Sequence, residues 1–133
     1  MNKEELKRIL EQHKIWLESD GEEGERANLE GVNLKGANLE GVNLKGANLY
    51  RGNLYRGNLY FTNLGGADME GAILEDAILE GAALKGAFLK GTKFTVEIRK
   101  CSYFGYATVN KEQLPWLALN PRFAEFMPTL QIK

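Results

Sequence analysis

The chain holds one histidine, His13, and one cysteine, Cys101. A thiol becomes a nucleophile when a base lies within hydrogen-bond reach, and nothing at either site suggests that these distant residues meet. His13 falls on the apolar stripe of an N-terminal helical pattern and reads as a partly buried packing residue. With no cluster of His and Cys, a metal centre is not expected. Glu75, Asp76 and Glu80 lie close together, but such a group usually belongs to a solvated surface. The glycines recur periodically, so they suit corners better than a phosphate-cradling loop. The expectation is therefore no enzyme, with no catalytic, cofactor-binding or metal-binding residues and no cofactor. What remains is Asn48 to Phe61, "NLYRGNLYRGNLYF", where Tyr50, Tyr55 and Tyr60 recur with Arg51, Arg56 and Phe61 beside them. Tyrosine and arginine are the side chains that most often anchor protein interfaces, and both can stack on a base or a sugar.

The elements that hold these residues follow from their spacing. Between Ala27 and Val96 a leucine, or Met or Phe in its place, recurs every five residues at fourteen positions, from Leu29 to Phe94. Two residues before each stands a small or β-branched residue, with Asn or Asp between them as far as Asp68. An α-helix displaces residues five apart by about 140°, and a flat strand sends them to opposite faces. A chain that turns a corner after each five residues keeps every leucine and every small residue inward. Four corners close a square, so twenty residues make one coil, and coils stack about 4.8 Å apart through backbone hydrogen bonds.

The ends read differently. Residues 2–18 form an amphipathic helix with Leu6, Ile9, Leu10, His13, Trp16 and Leu17 on one stripe, followed by a turn-rich acidic break, Ser19 to Glu25. Residues 97–133 leave the repeat. "EIRKCSYFGYATV" has the content of one or two short strands, and "NKEQLPWLALNPRFAEFMPTL" reads as two short helices. Asn110 with Gln113, and Asn120 followed by Pro121, are start signals for those helices. Three segments result: a capping helix and turn at 1–26, the repeat at 27–96, and a C-terminal capping segment of strand plus short helices at 97–133.

"ANLEGVNLKGANLEGVNLKGANL", "ADMEG" and "GAFLKG" resemble the A(D/N)LXX signature of the pentapeptide-repeat proteins. The likeness covers Ala27 to Val96 and weakens at Ile73, Ile78, Ala83, Phe88 and Lys93, where the Asn or Asp is replaced. It implies an all-β solenoid, a right-handed quadrilateral β-helix, here of about three and a half coils. It also implies two further possibilities, since some members pair end to end and some are similar to a B-DNA rod and protect DNA gyrase.

A coil of twenty aligns outward residues in columns, such as 30, 50, 70 and 90, which read Glu, Tyr, Glu, Lys. No column holds the adjacent carboxylates of a calcium ladder or an acid–base pair. The six belt residues then spread over three successive walls of one coil. They are either a protein-binding belt or side chains that merely suit the outside of a β wall, where tyrosine can shelter backbone bonds and arginine can rest on it. Ile73, Ile78 and Phe88 should face outward, so either the C-terminal helices fold back over them or a partner does. Each end of the stack exposes apolar interior and unpaired backbone, and the two terminal segments read as its covers or as a dimerisation surface.

Charge narrows the function. Seventeen basic and eighteen acidic residues leave a net charge of −1, and the repeat itself carries seven of each sign, which disfavours direct nucleic-acid binding and DNA mimicry. A length near 17 Å also disfavours the mimic. No apolar run approaches the roughly 18 residues of a membrane span, the N-terminus lacks a signal-peptide core, and a lone cysteine fits a reducing compartment, so a cytoplasmic location is expected. The reading is a non-catalytic scaffold or protein-interaction module, monomeric or dimeric through a terminal cap. A gyrase-binding DNA mimic is one alternative. A consensus design without native function is another, because "ANLEGVNLKG" occurs twice in succession unchanged.

Overall fold

Asn2 starts the first helix: its Oδ1 accepts the Glu5 N–H at 2.8 Å, and α1 runs Lys3–Glu18. A computed structural model describes residues 1–133, the side chain of Val96 excepted. After the break at 19–25 the chain enters a succession of parallel bridges, each joining residues twenty apart. Four ladders result, with Asn28, Asn48, Asp68, Phe88 and Thr108 on one, and Asn33, Asn53, Ile73 and Lys93 on the next. Asn38, Asn58 and Ile78 form the third, and Asn43, Asn63, Ala83 and Tyr103 the fourth.

Each wall is shorter than a regular strand, because one bridged residue per unit is all that the corners leave. In the first unit the Val32 N–H returns to the Leu29 carbonyl at 3.2 Å, closing a β-turn in which Gly31 has φ +63°. A positive φ at the third residue of a turn is what makes glycine the natural occupant there. The Asn before the inward leucine shapes the same turn. From Asn28 to Asp68, nine successive Asn or Asp side chains accept the N–H two residues on, at 2.9–3.2 Å. This local bond is the Asx turn, the structural reason for Asn at an outward position.

The leucines and the small residues together fill the interior. Leu39, Leu44, Leu49, Leu54, Leu59 and Leu64 are fully buried, as are Met69 and the inward alanines Ala67, Ala72, Ala77, Ala82 and Ala87. Thr62 and Thr92 take small-residue places, and each hydroxyl donates to a carbonyl of the preceding coil, Leu39 at 2.7 Å and Met69 at 2.6 Å.

The bridging register continues past Val96. Ala83 pairs with Tyr103 and Phe88 with Thr108, while Phe104, Ala107 and Val109 are buried in phase with Phe94. One wall is missing between them. Its inward positions would be Glu97 and Arg99, so the backbone instead winds a 3-10 turn over Val96–Lys100 that buries Ile98. This turn stands where the composition suggested a short strand. A strand does form at β1, Thr108–Val109.

The rest of the chain crosses the end of the last coil through α2 (Leu114–Leu117), α3 (Phe123–Phe126) and β2 (Gln131–Ile132). The expected Asn110–Gln113 capping pair is present, whereas the Asn120–Pro121 signal opens a turn, with Asn120 Oδ1 accepting the Arg122 N–H at 2.9 Å, and α3 itself starts only at Phe123. Gln113 Nε2 donates to the carbonyls of Leu89 and Thr92, and Asn120 Nδ2 to that of Cys101 at 3.1 Å. β2 pairs in parallel with β1, and Phe126 packs edge-on to Phe104 at 4.7 Å. These helices lie over the end, not over the replaced wall positions: Ile78 and Phe88 remain 47% and 46% exposed. Among the described residues no helix is long and apolar enough to cross a membrane.

Candidate functional site

The belt residues occupy two kinds of position. Tyr50, Tyr55 and Tyr60 each follow an inward leucine, and their N–H groups are held by Asn48, Asn53 and Asn58 at 3.0–3.1 Å. Their carbonyls accept from Gly31, Gly36 and Gly41 of the first coil at 2.8–2.9 Å, so each tyrosine backbone is fixed on both sides. Tyr50 and Tyr55 are half-buried and Tyr60 is exposed.

Arg51, Arg56 and Phe61 stand at the corners, with φ of 54°, 58° and 53°. In the first coil the same corners are glycines, Gly31, Gly36 and Gly41, with φ between 63° and 67°. A side chain in this left-handed region costs roughly 1–2 kcal/mol. Glycine has moved one place along at two of these corners, to Gly52 and Gly57, which are buried at small-residue positions.

What the corner side chains rest on is again set by the twenty-residue register. Arg51 lies over Gly71, its Cγ 3.1 Å from where a Cβ there would stand, and its guanidinium carbon is 5.4 Å from the Tyr50 ring centre. The Phe61 ring lies over Gly81, where a Cβ would be 2.8 Å from three ring carbons, and meets Tyr60 edge-on at 4.5 Å. The fold thus gathers Tyr50 with Arg51 and Tyr60 with Phe61, and it puts Tyr55 and Arg56 on the wall and corner between them. Gly71 and Gly81 were absent from the sequence reading of the belt. They could have been found by adding twenty to 51 and 61. Phe61 is 57% exposed and is the most accessible large apolar group here.

His13 and Cys101 belong to opposite ends of the coil stack. The His13 side chain has no exposed surface. Its Nδ1 accepts the Ala27 N–H at 2.9 Å, and its Nε2 faces the Lys45 carbonyl at 3.0 Å. Accepting at one nitrogen fixes the tautomer, so Nε2–H donates to Lys45. One neutral ring therefore satisfies a donor and an acceptor that the first coil leaves without a preceding coil. Burial holds its pKa below the ordinary 6.5; the Lys45 carbonyl opposes that shift and nearby Arg26 adds to it. The sequence showed His13 as a packing residue, and its polar role was hidden because its partners are 14 and 32 residues away. The Cys101 thiol is buried near Asn120, and burial pushes its pKa up to about 12, which leaves it protonated and unreactive. Among the described residues no group of three His, Cys, Asp or Glu side chains could hold a metal ion.

Several solved structures are similar. A pentapeptide repeat protein (Rfr23) from the cyanobacterium Cyanothece 51142 matches at 35% identity, covering 53% of this chain and 51% of that one, with a TM-score of 0.45. HetL, a pentapeptide repeat protein involved in heterocyst differentiation regulation in Nostoc sp. strain PCC 7120, matches at 34% identity over 51% of this chain and 34% of that one, with a TM-score of 0.28. The pentapeptide repeat protein alr5209 of Nostoc PCC 7120 matches at 23% identity over 92% and 93% of the two chains, with a TM-score of 0.30. The chain spans about half the length of the first and about a third of the second. No curated protein sequence matches it. The family model for pentapeptide repeats matches eight copies, over residues 25–59 and 57–95, more than half of the 133 residues. With its five-residue units and its bridges twenty residues apart, the chain belongs to the pentapeptide repeat family, whose fold is the right-handed β-helix.

Proposed function

We propose that the chain is a non-catalytic scaffold that binds another protein through the belt Tyr50, Arg51, Tyr55, Arg56, Tyr60 and Phe61. The observation that carries this reading is the replacement of glycine by Arg51, Arg56 and Phe61 at three successive left-handed corners. Glycine serves those corners without strain in the preceding coil. Strain kept at three successive corners, and placed under Arg and Phe beside Tyr, motivates a functional reading of that coil. The coils, about three and a half in the regular repeat, act as a rigid support, and the terminal segments act as caps. His13 serves at the first end, and Gln113 and Asn120 at the last.

The experiment is affinity capture with the triple variant Tyr50→Ser, Tyr55→Ser, Tyr60→Ser beside the parent, both checked by circular dichroism. Loss of a captured partner with an unchanged β signal supports the belt. Equal capture by both proteins refutes it. A gyrase supercoiling assay with added protein tests the DNA-mimic reading, and no inhibition is expected because the repeat carries equal numbers of acidic and basic residues.

A further inference from the structure

The first coil is covered on one side only. α1 reaches it through His13, which bonds to Ala27 and Lys45, and through Trp16, whose ring lies 3.6 Å from the Cβ position of Gly46. Elsewhere a groove of about 1010 Å³ opens between α1 and the coil. Leu6, Leu10 and Leu17 line it from the helix, and Leu34, Ala37 and Val42 from the coil.

The backbone in this groove is an unpaired edge. In the second coil the N–H groups of Asn53, Asn58 and Asn63 donate to Val32, Ala37 and Val42 at 2.9–3.0 Å. The corresponding N–H groups of Asn33, Asn38 and Asn43, which line the groove, have no protein acceptor among the described residues. The corners between them are open, since a Cβ added at Gly36 or Gly41 would meet nothing within 4 Å. An exposed edge of this kind is a template for one more extended segment.

The rim selects the segment's charge. Lys3, Lys7, Lys14 and Lys35 line the groove against Glu11 and Glu18, and Glu18 is already 4.0 Å from Lys14. We infer that this groove binds an acidic peptide segment that bends at the corner as the coil does, pairs its backbone with the rungs at Asn33 and Asn38 and sets its carboxylates among the lysines. A second copy of the chain fits less well, because joining two such ends would bring their lysine rims together. An acyl chain would leave the rung N–H groups unpaired. The groove lies on the first coil and the belt on the second, so this site is independent of the reading above.

The test uses the full chain labelled with 15N, titrated with acetyl-Glu-Val-Asp-Val-Glu-amide and, separately, acetyl-Lys-Val-Lys-Val-Lys-amide. The expected result is shifts and slowed hydrogen exchange at the amides of Asn33 and Asn38 with the acidic peptide alone. Added salt and the double variant Lys7→Glu, Lys35→Glu should each weaken binding, the variant by about tenfold. Both lysines are exposed, so the variant should keep the parent spectrum elsewhere. The inference fails if no shift occurs at about 1 mM peptide, a weak affinity already close to the useful limit. It fails equally if both peptides act alike, or if charge reversal changes nothing. Shifts at these amides that follow protein concentration without peptide would assign the edge to a second copy and overturn it as well.

Discussion

Replacing His13 with Phe keeps a ring of similar shape against Trp16, which it now stacks on at 5.4 Å, and removes both of its hydrogen bonds. The Ala27 N–H and the Lys45 carbonyl are then left without partners. Each unsatisfied group costs about 1–3 kcal/mol when buried. Lys45 is an exposed residue and water reaches its backbone more easily, so the lower half of the range applies and the total is about 2–4 kcal/mol. With a urea dependence of about 2 kcal/mol per M, the midpoint should fall by about 1–2 M. The assay is urea denaturation followed by far-UV circular dichroism at several pH values. In the folded parent the histidine pKa is depressed below 6.5, so the unfolded chain binds the extra proton first. The ring's contribution is fully present above pH 6.5, and it is lost as pH falls from there through the folded pKa. The slope for this single proton cannot exceed about 1.4 kcal/mol per pH unit. The Phe variant should lack this component. A variant within about 0.5 kcal/mol of the parent at pH 7.5 would refute the reasoning, since that is less than one unsatisfied group. So would parent and variant curves that stay parallel from pH 7.5 to 5.

Other perturbations test the corners and the thiol. Arg56→Gly should gain about 0.5 kcal/mol in urea denaturation, the relief of a left-handed side chain less the greater freedom of glycine when unfolded. Gly81→Ala should cost about 1–2 kcal/mol and Gly86→Ala about 1 kcal/mol, both having φ near +70°. The difference between them is the displacement of Phe61, and it should vanish in a Phe61→Ala background. Cys101 should resist a disulfide reagent at pH 8 in the native protein and react on unfolding. Because its pKa is raised from 9.0 to about 12, stability should also fall as pH rises through that interval.

How much of this was legible in the sequence depended on whether a residue's partners lay at a fixed interval. The fourteen in-phase apolar positions specified inward and outward sides, and the bridge of Asn28 to Asn48 follows from the same period. The N-terminal helix was legible from its stripe and Asn2, and the Asn110–Gln113 pair from its spacing. The continuation at Tyr103 and Thr108 was harder to see because Glu97 and Arg99 occupy the inward positions of the intervening wall. A charge cannot enter the leucine column, so the register is carried across by Ile98 and a tighter turn, and the five-residue count stumbles there. His13 was hidden for a different reason: its partners come from two separate turns of the first coil, and no local spacing encodes them.

The belt lies between these cases. Its tyrosines were legible as an outward set, but the significance of Arg51, Arg56 and Phe61 required the backbone, which shows that they stand where glycine belongs. In a fold whose neighbours are always twenty residues away, a bulky corner residue needs room in the next coil. Arg51 and Phe61 have that room because Gly71 and Gly81 provide it. At the corner of Arg56 the residue twenty further on is Asp76, itself left-handed at φ 57°, in place of a glycine. The position twenty beyond Arg56 therefore carries a side chain, where those beyond Arg51 and Phe61 are bare backbone. The three corners of one belt differ in support, and a partner that reads all three would have to accommodate a flat cation, a second cation and an aromatic ring in that order. That order runs around a coil, so it favours a partner that wraps a corner over one that meets a single wall.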